Sequence, residues 1–290
     1  MRTRVVSSVG VVLVGLVAML LGGPVFAALM AVIGVVGLRE YLAMVDRLAP
    51  GRSSSLPAFA AIVLMAVGGW IGWPLPAIAL VLFAGGMLPL VGAFRDPEAA
   101  GVVTRWASVA AGSLYLGVPV LAGAALRQAS GDVSAGWLAA ISPAASLWAP
   151  QPRGLAWLLI VVLAIWVGDS AAYLGGRAFG KRKLAPRLSP NKTVEGAVCG
   201  LVGSTVVACI TAGLTGLGLP LPLAAAIGLA LGVVGQVGDL SESLLKRQAG
   251  IKDSGTLIPG HGGMLDRVDA LLFALPVGWA VATLVDGMVK

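Results

Sequence analysis

Long apolar runs recur along the whole chain, and they are the feature that most limits its fold. A helix needs about 20 predominantly apolar residues to cross the hydrocarbon core of a bilayer. Nine runs approach that length: 5–22, 25–44, 57–73, 75–92, 106–126, 155–178, 194–217, 221–247 and 266–288. They predict an all-α fold, a polytopic transmembrane helical bundle of about nine spans, because only helices satisfy the backbone of such segments within lipid.

The charge content excludes an ordinary soluble domain. Only 11% of the 290 residues are charged and 58% are hydrophobic, whereas soluble domains are about a quarter charged. Arg2, Arg4 and the apolar run that ends near Ala27 also resemble a secretory signal peptide. Because the apolar sequence continues through Leu38, we expect a retained first span instead.

Two connecting segments leave alternatives open. Gly72-Trp73-Pro74 fits either a tight turn between two spans or a kink within a re-entrant pair. The segment 127–154 contains three prolines and scattered polar residues. It predicts an external loop with an amphipathic piece around Trp137 and Trp148, at the depth where aromatic residues concentrate.

The cationic residues orient the chain. With a cytoplasmic N-terminus, the inner segments carry all of the 20 lysines and arginines except Arg127, Arg153 and Lys290. This asymmetry follows the positive-inside rule. The net charge of +7 therefore predicts no nucleic-acid partner, and membrane lipid, particularly anionic lipid, is the expected surface.

Several aspartates lie at the cytoplasmic ends of apolar runs, where a bilayer protein usually avoids acids. They are Asp169, Asp239, Asp266 and Asp269. Such residues usually face a cavity or a partner, although a structural ion pair or a helix end in the headgroup zone is the simpler alternative. If 221–247 is helical, Asp239, Glu242, Ser243 and Lys246 share one face. The pattern favours a site at the cytoplasmic bilayer surface.

These residue types suit phosphate chemistry. Carboxylates on adjacent helices can hold Mg²⁺ through oxygen ligands, and a two-metal site stabilises both the attacking and the leaving oxygen in displacement at phosphorus. The cations Lys192, Lys246, Arg247 and Lys252 are suited to phosphate. A short glycine-rich loop, Pro259-Gly260-His261-Gly262-Gly263, can bring backbone N–H groups close to a phosphate. The alternative for His261, the single histidine, is a hydrogen bond that stabilises this loop.

One other segment matches a known phosphate-binding motif only in part. Gly175 to Lys181 has the glycine and lysine spacing of a phosphate-binding P-loop, but Arg182 stands where that motif needs Ser or Thr. We interpret this segment as a basic inner loop.

The polar residues of the C-terminal half resemble the signature of the phosphatidate cytidylyltransferases, also called CDP-diacylglycerol synthases. The resemblance rests on Ser243 to Arg247, Lys252 to Gly255, Pro259 to Gly263 and Asp266 to Asp269, without a departure from the family pattern. Gly238-Asp239-Leu240, Ser189 to Gly196 and Asp169 to Tyr173 also look like family motifs. The likeness covers about 165–270, and the first 150 residues match only as apolar spans.

The resemblance implies transfer of CMP from CTP to phosphatidic acid, which gives CDP-diacylglycerol and pyrophosphate. It implies a Mg²⁺ requirement, with K⁺ as a candidate second ion, and Asp239 and Asp266 as the metal ligands. The expected catalytic residues are Asp169, Lys192, Lys246, Arg267 and Asp269. The expected substrate-binding residues are Ser189, Asn191, Thr193, Ser243, Arg247, Lys252, Asp253, His261, Gly262 and Gly263.

The distribution of apolar and charged residues also predicts the organisation of the chain. We expect one continuous membrane domain, with N-terminal spans and the external loop in 1–150 and the catalytic region in 151–290. It implies a multi-pass protein of the inner (plasma) membrane whose active site faces the cytoplasm, and family analogy suggests a homodimer.

Three other functions compete. The first is a CTP-dependent polyprenol kinase or a cytidylyltransferase acting on an isoprenoid ether lipid. The second is a cation transporter or channel, which predicts polar residues across the whole bilayer, whereas here they gather on one side. The third is a binding or structural membrane protein that has lost activity, against which the complete set of polar residues argues.

Overall fold

Helices dominate the structure. The computed structural model describes residues 2–48, 54–94, 101–141, 152–257 and 262–288. In chain order its elements are α1 (Arg2–Leu21), α2 (Gly23–Leu48), α3 (Leu56–Ile71), α4 (Leu75–Ala93), α5 (Val102–Arg127), α6 (Gly136–Ile141), α7 (Pro152–Phe179), β1 (Lys183–Ala185), β2 (Ser189–Thr193), α8 (Val194–Thr215), α9 (Leu221–Gln248) and α10 (Leu265–Met288). Each predicted apolar run corresponds to a helix, so the all-α polytopic class is confirmed.

Seven helices of the described residues are long and apolar enough to cross a membrane: α2, α4, α5, α7, α8, α9 and α10. The apolar helices Gly10–Leu21 and Leu56–Ile71 are shorter. Apolar side chains also point outwards on the long helices, and on α8 Val198, Val202 and Val206 are exposed at four-residue intervals. Such a stripe lies on one helix face and is stable only against an apolar solvent, so the chain is a multi-pass membrane protein.

The chain divides into two compact units, each described on its own. The first comprises Met1–Ala18, Gly23–Ala125 and Leu245–Val268, and the second comprises Met19–Gly22, Leu126–Leu244 and Asp269–Lys290.

The core of the first unit lies among α2, α3 and α5. Leu38, Ile62 and Leu116, one from each helix, are fully buried. Gly34 allows close packing, because a Cβ there would lie 2.6 Å from a side-chain carbon of Ile62. Small residues of this kind let membrane helices approach closely.

The connection between α3 and α4 is a tight turn. Gly72 ends α3 in the left-handed conformation, with φ of 71°, and its backbone N–H donates to Gly68 O. Trp73 N–H also donates to that carbonyl, at 2.9 Å, and Pro74 precedes the first residue of α4. Glycine suits this position because L side chains rarely adopt a positive φ. Of the two alternatives for this segment, the structure has the turn.

In the second unit, glycines bring α7, α8, α9 and α10 together. A Cβ at Gly228 of α9 would lie 2.7 Å from Ser204 O in the backbone of α8, and one at Gly238 would lie 2.6 Å from Asp269 O of α10. One at Gly232 would lie 3.0 Å from the Ser204 side chain. The glycines that precede Asp239 on α9 therefore allow close helix packing.

Two smaller features complete the second unit. The predicted amphipathic piece around Trp137 is the short helix α6, and the indole N–H of Trp137 donates to Leu214 O at 2.8 Å. Trp148 lies outside the described residues. The segment interpreted as a basic loop, Gly175 to Lys181, is helical through Phe179. An antiparallel hairpin follows it, in which Lys183 pairs with Thr193 and Ala185 with Ser189. This hairpin was not predicted.

The helix contact at Gly228 gives a test of the packing. We expect Gly228→Ala to lower the stability of the purified protein in detergent by about 1–3 kcal/mol, because the new methyl group meets backbone that cannot move aside. Gly213→Ala on α8 is the matched control, since a Cβ there has nothing within 4 Å. Thermal unfolding measures both, and equal midpoints would contradict this packing.

Candidate active site

The carboxylate of Asp266 organises the loop that joins α9 to α10, within the first unit. Its Oδ1 accepts from Lys246 Nζ at 2.6 Å. Its Oδ2 accepts from Gly263 N–H at 2.8 Å, from Ser254 N–H at 2.8 Å and from the Ser254 hydroxyl at 2.9 Å. The Asp266 side chain is 7% exposed and that of Lys246 is 13% exposed. Four donors around a sheltered carboxylate satisfy its oxygens and fix both ends of the loop.

Glu40 is a site residue that the sequence analysis missed. It belongs to α2, is buried, and accepts from Met264 N–H and Leu265 N–H at 2.9 Å each. It also lies 3.0 Å from the Ser254 hydroxyl. The first N–H groups of a helix have no hydrogen-bond partner within the helix. At the start of α10, the Glu40 carboxylate is that partner. The signal in the sequence was the Arg39-Glu40 pair that interrupts the second apolar run.

The loop glycines have a steric cause. A Cβ at Gly255 would lie 2.6 Å from Glu40 Oε1, and one at Gly263 would overlap the same carboxylate. Gly262 has φ of 83°, and a Cβ there would lie 2.5 Å from Asp266 Oδ2. Glycine at these positions leaves room for two carboxylates that approach the backbone closely.

Other predicted residues in and next to this loop are more exposed to solvent. Lys252 and Asp253 are exposed, and Arg267 is exposed in the first turn of α10. Arg247 donates to Ile251 O at 3.3 Å. His261, with Pro259 and Gly260, lies outside the described residues, so its predicted role stays a prediction.

A second cluster lies in the second unit and joins three predicted residues. Lys192 of β2 forms an ion pair with Asp239 of α9, whose side chain is 30% exposed. Asp169 of α7 interacts electrostatically with both of them. One ammonium group therefore stands against two carboxylates, which leaves the cluster with a net negative charge when both are ionised.

The β-hairpin fixes the backbone that carries Lys192. Thr193 ends β2 and begins α8 as its N-cap, and its hydroxyl accepts from Gly196 N–H at 3.1 Å. Glu195, in the first turn of α8, accepts from Lys181 N–H at 3.0 Å and from Arg182 N–H at 3.2 Å. A capped helix and a tethered hairpin leave the Lys192 backbone little freedom.

The remaining predicted residues of the second unit are distributed along these elements. Ser189 and Asn191 lie on β2, with Asn191 exposed. Ser243 is buried on α9, and Asp269 Oδ1 accepts from Ala270 N–H at 2.8 Å on α10. The helix α9 covers 221–248, so the predicted helical spacing from Asp239 to Lys246 is confirmed.

Comparison with known proteins decides the family. The model of the cytidylyltransferase family matches residues 2–285. This chain belongs to the cytidylyltransferase family. It is 39% identical over 214 residues to the phosphatidate cytidylyltransferase of Brucella suis, which covers 71% of this chain and 69% of that relative.

Shorter alignments join the chain to relatives of the same name. It is 49% identical over 123 residues to the phosphatidate cytidylyltransferase of Bacillus subtilis, covering 42% of this chain and 46% of that relative. The corresponding relative from Staphylococcus saprophyticus is 45% identical over 131 residues, covering 45% and 50%.

The oxygen donors of this cytidylyltransferase-family chain fit a hard cation in part. Among the described residues, no group of three or more His, Cys, Asp or Glu side chains is arranged to hold a metal ion. Asp169 and Asp239 nevertheless offer carboxylate oxygens, and Asp239 is paired with Lys192. Mg²⁺ usually takes one or two protein carboxylates and completes its shell with water and phosphate oxygens, so this pair suffices in number and type.

Asp266 is placed differently. Both of its oxygens already accept hydrogen bonds from protein groups. Of these donors, Lys246 is the cationic one, and because it is a side chain another cation can replace it without disturbing the backbone of the loop. Asp266 is therefore suited to bind a metal ion in place of the Lys246 ammonium.

Proposed function

We propose that this chain transfers CMP from CTP to phosphatidic acid, forming CDP-diacylglycerol and releasing pyrophosphate. The observation that carries the proposal is the family match over residues 2–285. The relatives named phosphatidate cytidylyltransferase support the choice of acceptor. The clusters around Asp266 and Asp239, which combine lysines with carboxylates, have the charges that such chemistry needs.

In the proposed reaction, a phosphate oxygen of phosphatidic acid attacks the α-phosphorus of CTP. The bond between that phosphorus and the oxygen that bridges to the β-phosphate breaks, and its electron pair leaves with pyrophosphate. The attacking phosphate is already ionised, so the main barrier is the approach of two polyanions. Lys192, Lys246 and Arg267 are proposed to offset this repulsion, as cationic groups do at transferring phosphoryl groups.

We propose Asp239 and Asp266 as ligands of Mg²⁺, with K⁺ as a candidate for a second ion. The support is the family resemblance together with the oxygen-rich donor set. When bound, the ion supplies charge stabilisation to phosphate oxygens. The chain's own residues orient this chemistry: Lys192 pairs with Asp239, while Ser254, Gly263 and Lys246 hold Asp266.

The direct test is an assay of the purified protein with CTP, phosphatidic acid and Mg²⁺, read out as pyrophosphate release. We expect Asp266→Asn to lower turnover at least about 100-fold, because it removes a charge on which the lysine and the proposed metal depend. Its level in the membrane should stay close to that of the wild type. Asp132→Asn, at an exposed position, is the control and should retain activity.

The products separate the alternatives. Release of CDP in place of pyrophosphate from the wild type would indicate a kinase. Turnover of an isoprenoid ether lipid in preference to phosphatidic acid would indicate a different acceptor. Near-normal pyrophosphate release by Asp266→Asn would contradict the assigned site.

The metal proposal has its own test. We expect Asp239→Asn to raise the Mg²⁺ concentration for half-maximal activity at least about tenfold, since even outer-shell groups contribute 10–100-fold to metal affinity. It should also reduce the rise in thermal midpoint on addition of Mg²⁺. Lys192→Gln is the matched variant, because it breaks the same ion pair but leaves the carboxylate. If both variants raise the Mg²⁺ requirement equally, Asp239 acts only by holding Lys192.

We further propose nine spans in the inner (plasma) membrane, with the N-terminus and the active site in the cytoplasm. The distribution of lysine and arginine supports this orientation, and the helices α1 and α3 supply the two spans beyond the seven longer ones. Homodimerisation is proposed on family analogy alone, and crosslinking in membranes measures it.

Accessibility of single cysteines tests the topology. Cysteines placed at Asp132 and at Lys252, in a chain without its two native cysteines, should be labelled from opposite sides of the membrane by an impermeant reagent. Labelling of both from the same side would overturn the orientation of the spans between them.

A further inference from the structure

We propose that Glu40 is a positioning residue, through which α2 holds residues 254–255 and 263–266, on the two described sides of the α9–α10 loop, in their active arrangement. The inference rests on the proposed function for its kinetic consequence and on the structure for the contact itself. It gives the N-terminal half of the chain a role in the chemistry that the motifs of the C-terminal half do not reveal.

The first step is the environment of Glu40. Its side chain lies on a helix long and apolar enough to cross a membrane, and the residue is only 8% exposed. Placing a carboxylate there is costly unless its oxygens receive hydrogen bonds. The backbone N–H groups of Met264 and Leu265 and the Ser254 hydroxyl fill that role. Glu40 and the start of α10 therefore depend on each other.

The second step connects Glu40 to Asp266. The Ser254 hydroxyl lies 3.0 Å from Glu40 Oε2 and 2.9 Å from Asp266 Oδ2. A serine hydroxyl has a single proton to donate, so it serves one carboxylate at a time and links the two positions. Asp266 in turn accepts from Lys246. The path from α2 to the proposed phosphate-binding lysine thus consists of side chains in direct contact.

The third step is the fit between Glu40 and the loop backbone. A side chain at Gly255 or Gly263 would collide with the Glu40 carboxylate. Gly255 and Gly263 therefore leave the space that the Glu40 carboxylate occupies. This fit argues that the contact is a specific feature of the site and not an incidental hydrogen bond.

The kinetic consequence follows from what the loop carries. Asp266 and Lys246 are proposed to act at the triphosphate, so loosening the loop should disturb the reacting groups and leave the lipid tails unaffected. Small displacements of positioning groups can cost large factors in rate. We expect Glu40→Gln to lower kcat at least about tenfold, with the KM for phosphatidic acid changed by less than about threefold.

The experiment measures exchange and kinetics on the full chain in detergent or nanodiscs. Glu40→Gln keeps the size of the side chain but places an NH₂ group against N–H donors. Hydrogen–deuterium exchange of the segment 262–266 should accelerate at least about tenfold, since bonds to charged acceptors are among the strongest. Arg39→Gln is the matched control. It introduces the same side chain at the neighbouring exposed position and should leave both exchange and kcat unchanged.

A second variant keeps the test decisive if Glu40→Gln fails to fold. Ser254→Ala removes only the link between the two carboxylates. It should lower kcat while exchange at Met264 and Leu265 stays near the wild-type rate. The double variant with Glu40→Gln should be no slower than the slower single variant, because both substitutions interrupt one path.

The outcomes are distinct. Wild-type exchange in Glu40→Gln, wild-type kcat in Ser254→Ala, or effects of Arg39→Gln equal to those of Glu40→Gln would each overturn the positioning role. If the wild type releases no pyrophosphate from CTP and phosphatidic acid, the proposed function fails. The exchange measurement then still decides whether Glu40 holds the loop.

Discussion

The hydrogen bonding of two sheltered carboxylates is the constraint on which the described site depends. Asp266 and Glu40 approach the same short stretch of backbone, and their acceptor oxygens take up the N–H groups of Gly263, Met264 and Leu265. These groups would otherwise lack partners at the start of a helix. The same hydrogen bonds therefore compensate the buried charges, cap the start of α10 and set the shape of the loop. The glycines of the signature leave the room that these carboxylates need.

The general architecture could be predicted because lipid leaves few alternatives. Apolar runs of sufficient length must be helical, and every predicted run corresponds to a helix. The hairpin at 183–193 was missed for a physical reason. Its strands are three and five residues long, contain a proline and lysines, and lack the apolar alternation by which strands are recognised. Its stability depends instead on Thr193 and on contacts with Glu195.

The sequence predicted which residues belong to the site, but it did not predict which of them contact each other. The resemblance singled out Lys192, Asp239, Lys246 and Asp266, and the structure pairs the first two and the last two as ion pairs. Pairing depends on how helices pack, which a single sequence does not specify. Glu40 was missed because it belongs to no motif and is separated from Ser254 by 214 residues. The assigned roles in catalysis and metal binding stay predictions.

That separation also bears on how the protein is made. During synthesis α2 enters the membrane long before residues 254–265 have left the ribosome, so the Glu40 carboxylate must first exist without its final donors. A charged group in this position disfavours insertion by a few kcal/mol. The nascent chain therefore either keeps α2 close to water or pairs Glu40 temporarily with another group. The contact can form only after residues 254–265 have been synthesised, which makes it a late event relative to the insertion of α2.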